Sequence, residues 1–200
     1  MSELSIHLLG IYLGDLNKLI LVKYILRNHN EKKIDQDPVA LGPAVVAAAR
    51  NALRKRYSLL PYLYTLFYFA EAEGHTVARP LFFEFPTDVQ TYGSASDTQF
   101  MWGSALMVIP VLKPNETKVK AYLPSGRWYP YELELNSKPI DSTGQYIDLE
   151  APIGKINTLL RGGSVVPILP PKQTTTQMRV EKFALVVAQS DSGTASGHFY

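Results

Sequence analysis

The period of the hydrophobic pattern changes once, at Gly74, and that switch is what most restricts the fold. Before it, Val46, Ala49, Leu53, Tyr57 and Leu60 recur at spacings of three and four, opposite Arg50, Arg54 and Lys55. This is the pattern of a helix that buries one apolar stripe. Gly42 is placed to cap it, and Pro43 falls at the first helical position, where a missing N–H costs nothing. Pro61 removes a backbone donor and is expected to kink the helix, residues 62–72 are good helix formers, and Gly74 is a natural stop. Two helical arms are therefore expected over 43–73. The six Tyr and Phe between Tyr57 and Phe69 fall at helical spacing and read as core rather than as a sugar platform.

Beyond Gly74 the chain breaks into short apolar runs bounded by Gly, Pro, Asn and Ser. Strands are expected at 81–85, 100–101, 105–112, 118–123, 128–132, 146–149, 158–160, 165–168 and 183–188. Turn signals recur at Pro114-Asn115, Ser125-Gly126, Asn136-Ser137, Thr143-Gly144 and Gly162-Gly163, and 170–176 reads as a polar linker. So many short, punctuated strands predict an antiparallel sandwich. The fold class is thus α+β, helices first and strands after.

Composition removes several functions. Two hundred residues are too few for a complete (β/α)8 barrel, which needs roughly 250. Twenty basic against eighteen acidic residues leave +2, too little to imply nucleic acid as the main partner. Zero Cys excludes thiol catalysis, disulfides and thiolate metal sites. The apolar stretch 6–26 is interrupted by Asp15, Lys18 and Lys23, so no membrane span is expected, and it makes a poor signal peptide. His7, His29, His75 and His198 are far apart, with no i, i+4 pair, so no metal site and no cofactor are expected. Arg161-Gly162-Gly163-Ser164 lacks the spacing of a phosphate loop. Asp35, Asp37, Glu84, Asp88 and Asp97 lie in loops or at strand ends and read as solvated or capping charges.

The residues do resemble one family. Arg56-Tyr57-Ser58-Leu59-Leu60-Pro61-Tyr62-Leu63-Tyr64, then Gly74, Arg79-Pro80-Leu81-Phe82 and Glu84-Phe85-Pro86, are similar to glycoside hydrolase family 31. The match continues through Gln99-Phe100, Tyr122-Leu123-Pro124, Trp128-Tyr129, Ala151-Pro152-Ile153 and Arg161-Gly162-Gly163, and covers about 27–200. The similarity is greatest to the branch of lysosomal acid, maltase and sucrase alpha-glucosidases. It implies an unmatched segment 1–26, the C-terminal end of a (β/α)8 catalytic barrel over 27–91, a proximal β-sandwich over 92–176, and the truncated start of a distal β domain over 177–200. Family members continue past the position of Tyr200 into a Trp or Leu, two Asp and a Gly.

The resemblance also implies an activity and its location. The family hydrolyses terminal alpha-linked glucose with retention, using an Asp nucleophile in a Trp-x-Asp-Met-Asn-Glu strand and a second Asp as acid/base. Neither motif occurs here, since Trp102 and Trp128 are followed by Gly103 and Tyr129. Retention needs two carboxyl groups roughly 5 Å apart. No catalytic residue is therefore expected in this chain. Arg27-Asn28-His29-Asn30 is similar to the family motif whose His holds glucose hydroxyls, which makes His29 the expected substrate-binding residue for glucose or an alpha-glucoside. Arg79 is expected to brace the barrel against the sandwich. Asn115-Glu116-Thr117 is an N-glycosylation sequon, in keeping with a lysosomal or secretory family. A non-catalytic carbohydrate-binding or interaction module is the alternative. The helix face with Val46, Leu53, Tyr57, Leu60, Leu63, Phe67 and Ala70 would lie on barrel strands in such an enzyme, so self-association through it is expected.

Overall fold

The computed structural model describes residues 37–113, 115–132 and 138–200. The segment 1–26, His29 and Asp35 lie outside them. Helix α1, Pro43–Ser58, begins at Gly42, whose φ of 98° is open to glycine, with Pro43 in the first turn. Helix α2, Leu60–Glu73, ends at Gly74 in the left-handed region at φ 73°. The chain bends at Leu59, not at Pro61. Pro61 falls in the first turn of α2, where no N–H is required of it, so it starts a second helix instead of kinking one.

The buried face of α1 is Val45, Ala48, Ala49, Ala52, Lys55 and Ser58. This is offset by about one residue from the stripe read in the sequence, and Val46, Leu53 and Tyr57 are only half-buried. Lys55, expected in solvent, is buried: Nζ donates to the Glu132 carboxylate and to the Tyr131 carbonyl at 3.5 Å. Of the six aromatic residues between Tyr57 and Phe69, Tyr62 alone is buried, while Tyr64 and Phe67 are 64% and 61% exposed. Leu63, expected on the helix face left open for self-association, is instead buried in the core.

Among the described residues ten strands follow: β1 (Ala78–Arg79), β2 (Phe100–Trp102), β3 (Leu106–Ile109), β4 (Lys118–Leu123), β5 (Gly126–Pro130), β6 (Ile140–Ser142), β7 (Gln145–Glu150), β8 (Asn157–Arg161), β9 (Ser164–Ile168) and β10 (Ala184–Ala188). Six form one antiparallel sheet in the order β1-β2-β3-β8-β5-β6, while β4 pairs with β7 and β9 with β10. Alternate side chains divide the core. Met101, Met107, Ile109, Trp128 and Leu159 meet Ala121 and Leu123 of β4, closing the sandwich. Trp102, Leu106, Val108 and Leu160 point the other way, onto Leu59, Tyr62 and Leu63 of the helical layer and onto Val166 and Val186 of β9 and β10. Each fully buried Leu or Met contributes roughly 1.5–3 kcal/mol.

Three local readings change. Residues 81–85 are not a strand: Leu81–Glu84 is a single helical turn, α3, entered from the extended backbone of Pro80, and it drops Leu81 into the core. A 3-10 turn (Val89–Tyr92) and the turn α4 (Ala95–Thr98) follow before the chain re-enters the sheet at β2. The 170–176 linker runs into a further turn, α5 (Thr175–Met178), capped by the Thr174 side chain. Gly162 has a packing reason beyond its turn, because a Cβ there would sit 2.9 Å from the Arg127 carbonyl oxygen and 3.0 Å from that of Gln189.

Candidate functional site

The junction between helices and sheet is where polar side chains concentrate. The extended strand β1 directs Arg79 toward the turn of α3, where its Nη1 donates to Glu84 Oε1 at 2.6 Å. Nε of Arg79 also donates to the Thr76 carbonyl at 3.1 Å. The other Glu84 oxygen accepts from Nη1 of Arg161, at the end of β8, at 3.3 Å. Glu84 is therefore not a solvated charge but a shared anchor for two guanidinium groups. The printed contacts of Arg79 stay within β1 and α3, ahead of the sandwich where a brace was expected of it; the bond that reaches across from the sheet is that of Arg161.

Nearby, the Tyr62 hydroxyl donates to the Trp102 carbonyl at 2.7 Å and accepts from the Ala105 N–H at 3.3 Å. Burial pushes this phenol well above its ordinary pKa. The same cause raises Tyr131, whose hydroxyl lies 3.2 Å from that of Ser58. On the far side of the sandwich, burial and then the hydrogen bond to Asp88 push Tyr122 up to about 12.

A cavity of about 650 Å³ opens between the C-terminal half of α2, the turn from β8 to β9, and residues 196–198. Arg79 and Arg161 reach its wall. Phe69 carries His75 at 5.9 Å and His198 at 5.5 Å between ring centroids.

The other sites anticipated from the sequence are dispersed. Asn115 is exposed in the turn that leads into β4, at φ 61°, a conformation that Asn tolerates better than most residues. Asp37 accepts the Val39 N–H at 2.8 Å, and Asp88 caps the 3-10 turn through the Gln90 N–H at 3.1 Å. Asp97 is exposed on α4. Each described carboxylate of this group except Asp97 thus has a structural partner. Sequence reasoning missed the shared role of Glu84, because reading 81–85 as a strand hid the turn that brings its carboxylate back toward Arg79.

Comparison with known proteins places this architecture. Residues 23–66 match the glycosyl hydrolases family 31 TIM-barrel domain, and residues 74–166 match the glycosyl hydrolase family 31 C-terminal domain. The chain belongs to glycoside hydrolase family 31. The helical layer is accordingly a remnant of the family 31 barrel, and the sandwich belongs to its C-terminal β domain.

Among family 31 relatives, lysosomal alpha-glucosidase of Rattus norvegicus is 42% identical over 191 residues, covering 88% of this chain and 20% of that protein. An alpha-glucosidase of Hordeum vulgare is 42% identical over 177 residues, covering 87% of this chain and 20% of that one. A glucosidase II alpha subunit, in a DNJ-bound structure, aligns with a TM-score of 0.79 at 29% identity, covering 90% of this chain and 20% of that chain. The Flavobacterium johnsoniae family 31 dextranase complexed with glucose aligns at 0.71 and 26%, covering 78% and 18%. The chain spans about a fifth of the length of these relatives. No helix of the described residues is long and apolar enough to cross a membrane.

Proposed function

We propose that this chain forms the closing part of the barrel and the β domain of a retaining alpha-glucosidase, an enzyme that hydrolyses terminal alpha-linked glucose from oligosaccharides. One observation carries the reading. The barrel match and the C-terminal-domain match follow each other along the chain without overlap, beside 42% identity to alpha-glucosidases of rat and barley.

Within that enzyme the segments 27–91, 92–176 and 177–200 are the barrel end, the proximal β domain and the start of the distal one. His29 is the residue of this chain that contacts glucose or an alpha-glucoside, since a neutral imidazole both donates and accepts a hydrogen bond and so suits paired sugar hydroxyls. The nucleophile and the acid/base are supplied by barrel strands whose motif does not occur in these residues. This stretch binds and supports but does not cleave. Asn115, exposed in its turn, is the proposed glycan attachment point of a lysosomal or secretory protein.

The test is a chimera of rat lysosomal alpha-glucosidase in which residues 23–200 replace the matching fifth of that enzyme. The chimera is expected to hydrolyse 4-nitrophenyl alpha-glucoside, and His29→Ala within it to lose on the order of a hundredfold in kcat/KM. A folded chimera without activity, or a His29→Ala chimera of full activity, contradicts the proposal.

A further inference from the structure

The cavity beside α2 has the charge and the free donors of an anion site, apart from any role in cleaving glucosides. At about 650 Å³ it falls within the usual range of small-molecule pockets. Arg79 and Arg161 both line it, and both meet on the single Glu84 carboxylate, at 2.6 and 3.3 Å. The side chains of Arg79 and Glu84 are 15% and 12% exposed, so water screens them weakly. Two positive charges thus share one negative charge. Glu73, the acid in the cavity lining, sits at the rim, half exposed to water, with its carboxylate 3.4 Å from His75 Nε2.

Arg161 is the residue with donors to spare. Arg79 gives Nε and Nη2 to the Thr76 carbonyl, whereas Nε and Nη2 of Arg161 have no partner among the described residues. The Phe85 ring lies under the Arg161 guanidinium, 4.4 Å from Cζ to the ring centroid, a cation–π contact that holds the group in place without using its N–H donors. A planar, preoriented N–H edge is what binds a carboxylate through two parallel hydrogen bonds. Ser104, Ser164 and Ser196 also line the cavity.

The geometry points to a carboxylate-binding site in this cavity, anchored by Arg161. The carboxylate can come from a side chain of an acidic peptide segment or from a small organic acid. Calorimetric titration of the chain with succinate, and separately with a blocked Gly-Glu-Asp-Gly peptide and its Gly-Gln-Asn-Gly control, tests the site and separates the two sources.

Saturable binding with a Kd on the order of 1 mM or tighter is expected for at least one carboxylate probe and not for the uncharged Gly-Gln-Asn-Gly peptide. Arg161→Gln should weaken it about tenfold or more, and Glu84→Gln, which releases both guanidinium groups, should tighten it about tenfold. Those opposite signs distinguish the site from general unfolding, which would weaken both variants. Binding of the peptide alone assigns the site to a chain segment, and binding of succinate alone to a free acid. No binding by the wild-type chain, or unchanged binding by Arg161→Gln with its circular dichroism intact, overturns the inference.

Discussion

Glu84 holds Arg161 across 77 residues of sequence, Oε2 to Nη1 at 3.3 Å, and so ties the turn after β1 to the end of β8. The same carboxylate holds Arg79 through its other oxygen. Removing it leaves two partly buried cations facing each other. Breaking a buried pair by deleting one partner costs roughly 3–5 kcal/mol, and the partial exposure of Arg161 reduces that here. Glu84→Ala is therefore expected to lower stability by about 2–3 kcal/mol, read as a fall in the urea midpoint. An unchanged midpoint would show that the network contributes nothing to the junction.

The raised phenols predict an alkaline limit to stability. For Tyr122 the folded pKa of about 12 lies above the ordinary tyrosine value of 10.0, so the unfolded chain loses this proton first as pH rises. Its contribution is fully present below pH 10, and is lost as pH climbs through about 12. Tyr62 and Tyr131 shift in the same direction. Stability measured by urea unfolding should fall over this window, and Tyr122→Phe should make the fall shallower. A slope identical in the variant would remove Tyr122 from the explanation.

Much of this fold is legible in the sequence because period 3.6 and period 2 occupy separate stretches of the chain. The strand expected at 118–123 is β4, and Gly42, Pro43 and Gly74 bound the helical arms as their chemistry requires. The rotation of α1 was not legible. Its buried face uses the small side chains of Ala48, Ala49 and Ala52 and the paired Lys55, none of which carries a strong hydrophobic signal. Leu81, Phe82 and Phe83 read as a strand because three apolar residues in a row carry no period, and Arg79 lies too close in sequence for its pairing with Glu84 to stand out. The contact of Glu84 with Arg161 exists only once the sheet has formed. His29 was reached through a motif, not through any pattern of burial.

Exposed apolar side chains give a prediction for the isolated chain. Tyr64 and Phe67 project from α2, and Leu185 and Val187 from β10, with Phe183 just ahead of it; the five residues of β10 include no charge and no proline. Apolar patches and uncharged edge strands of this kind promote association. Light scattering should show mass rising with concentration, and Phe67→Asp combined with Leu185→Lys should suppress the rise. A monodisperse monomer at high concentration contradicts this account of those surfaces.

Hydrolysis of 4-nitrophenyl alpha-glucoside by the purified 200-residue chain is the most direct test of the claim that these residues support the family 31 reaction without performing it. Enzymes lower such barriers by about 8–23 kcal/mol, and here that requires a nucleophile and a general acid at the anomeric centre. His29 can orient a hydroxyl but cannot replace either carboxyl group. From acidic to neutral pH, release of 4-nitrophenol is predicted to equal the buffer blank. Turnover above the blank that disappears in His29→Ala would contradict the account, because it would require a working carboxylate pair within this chain.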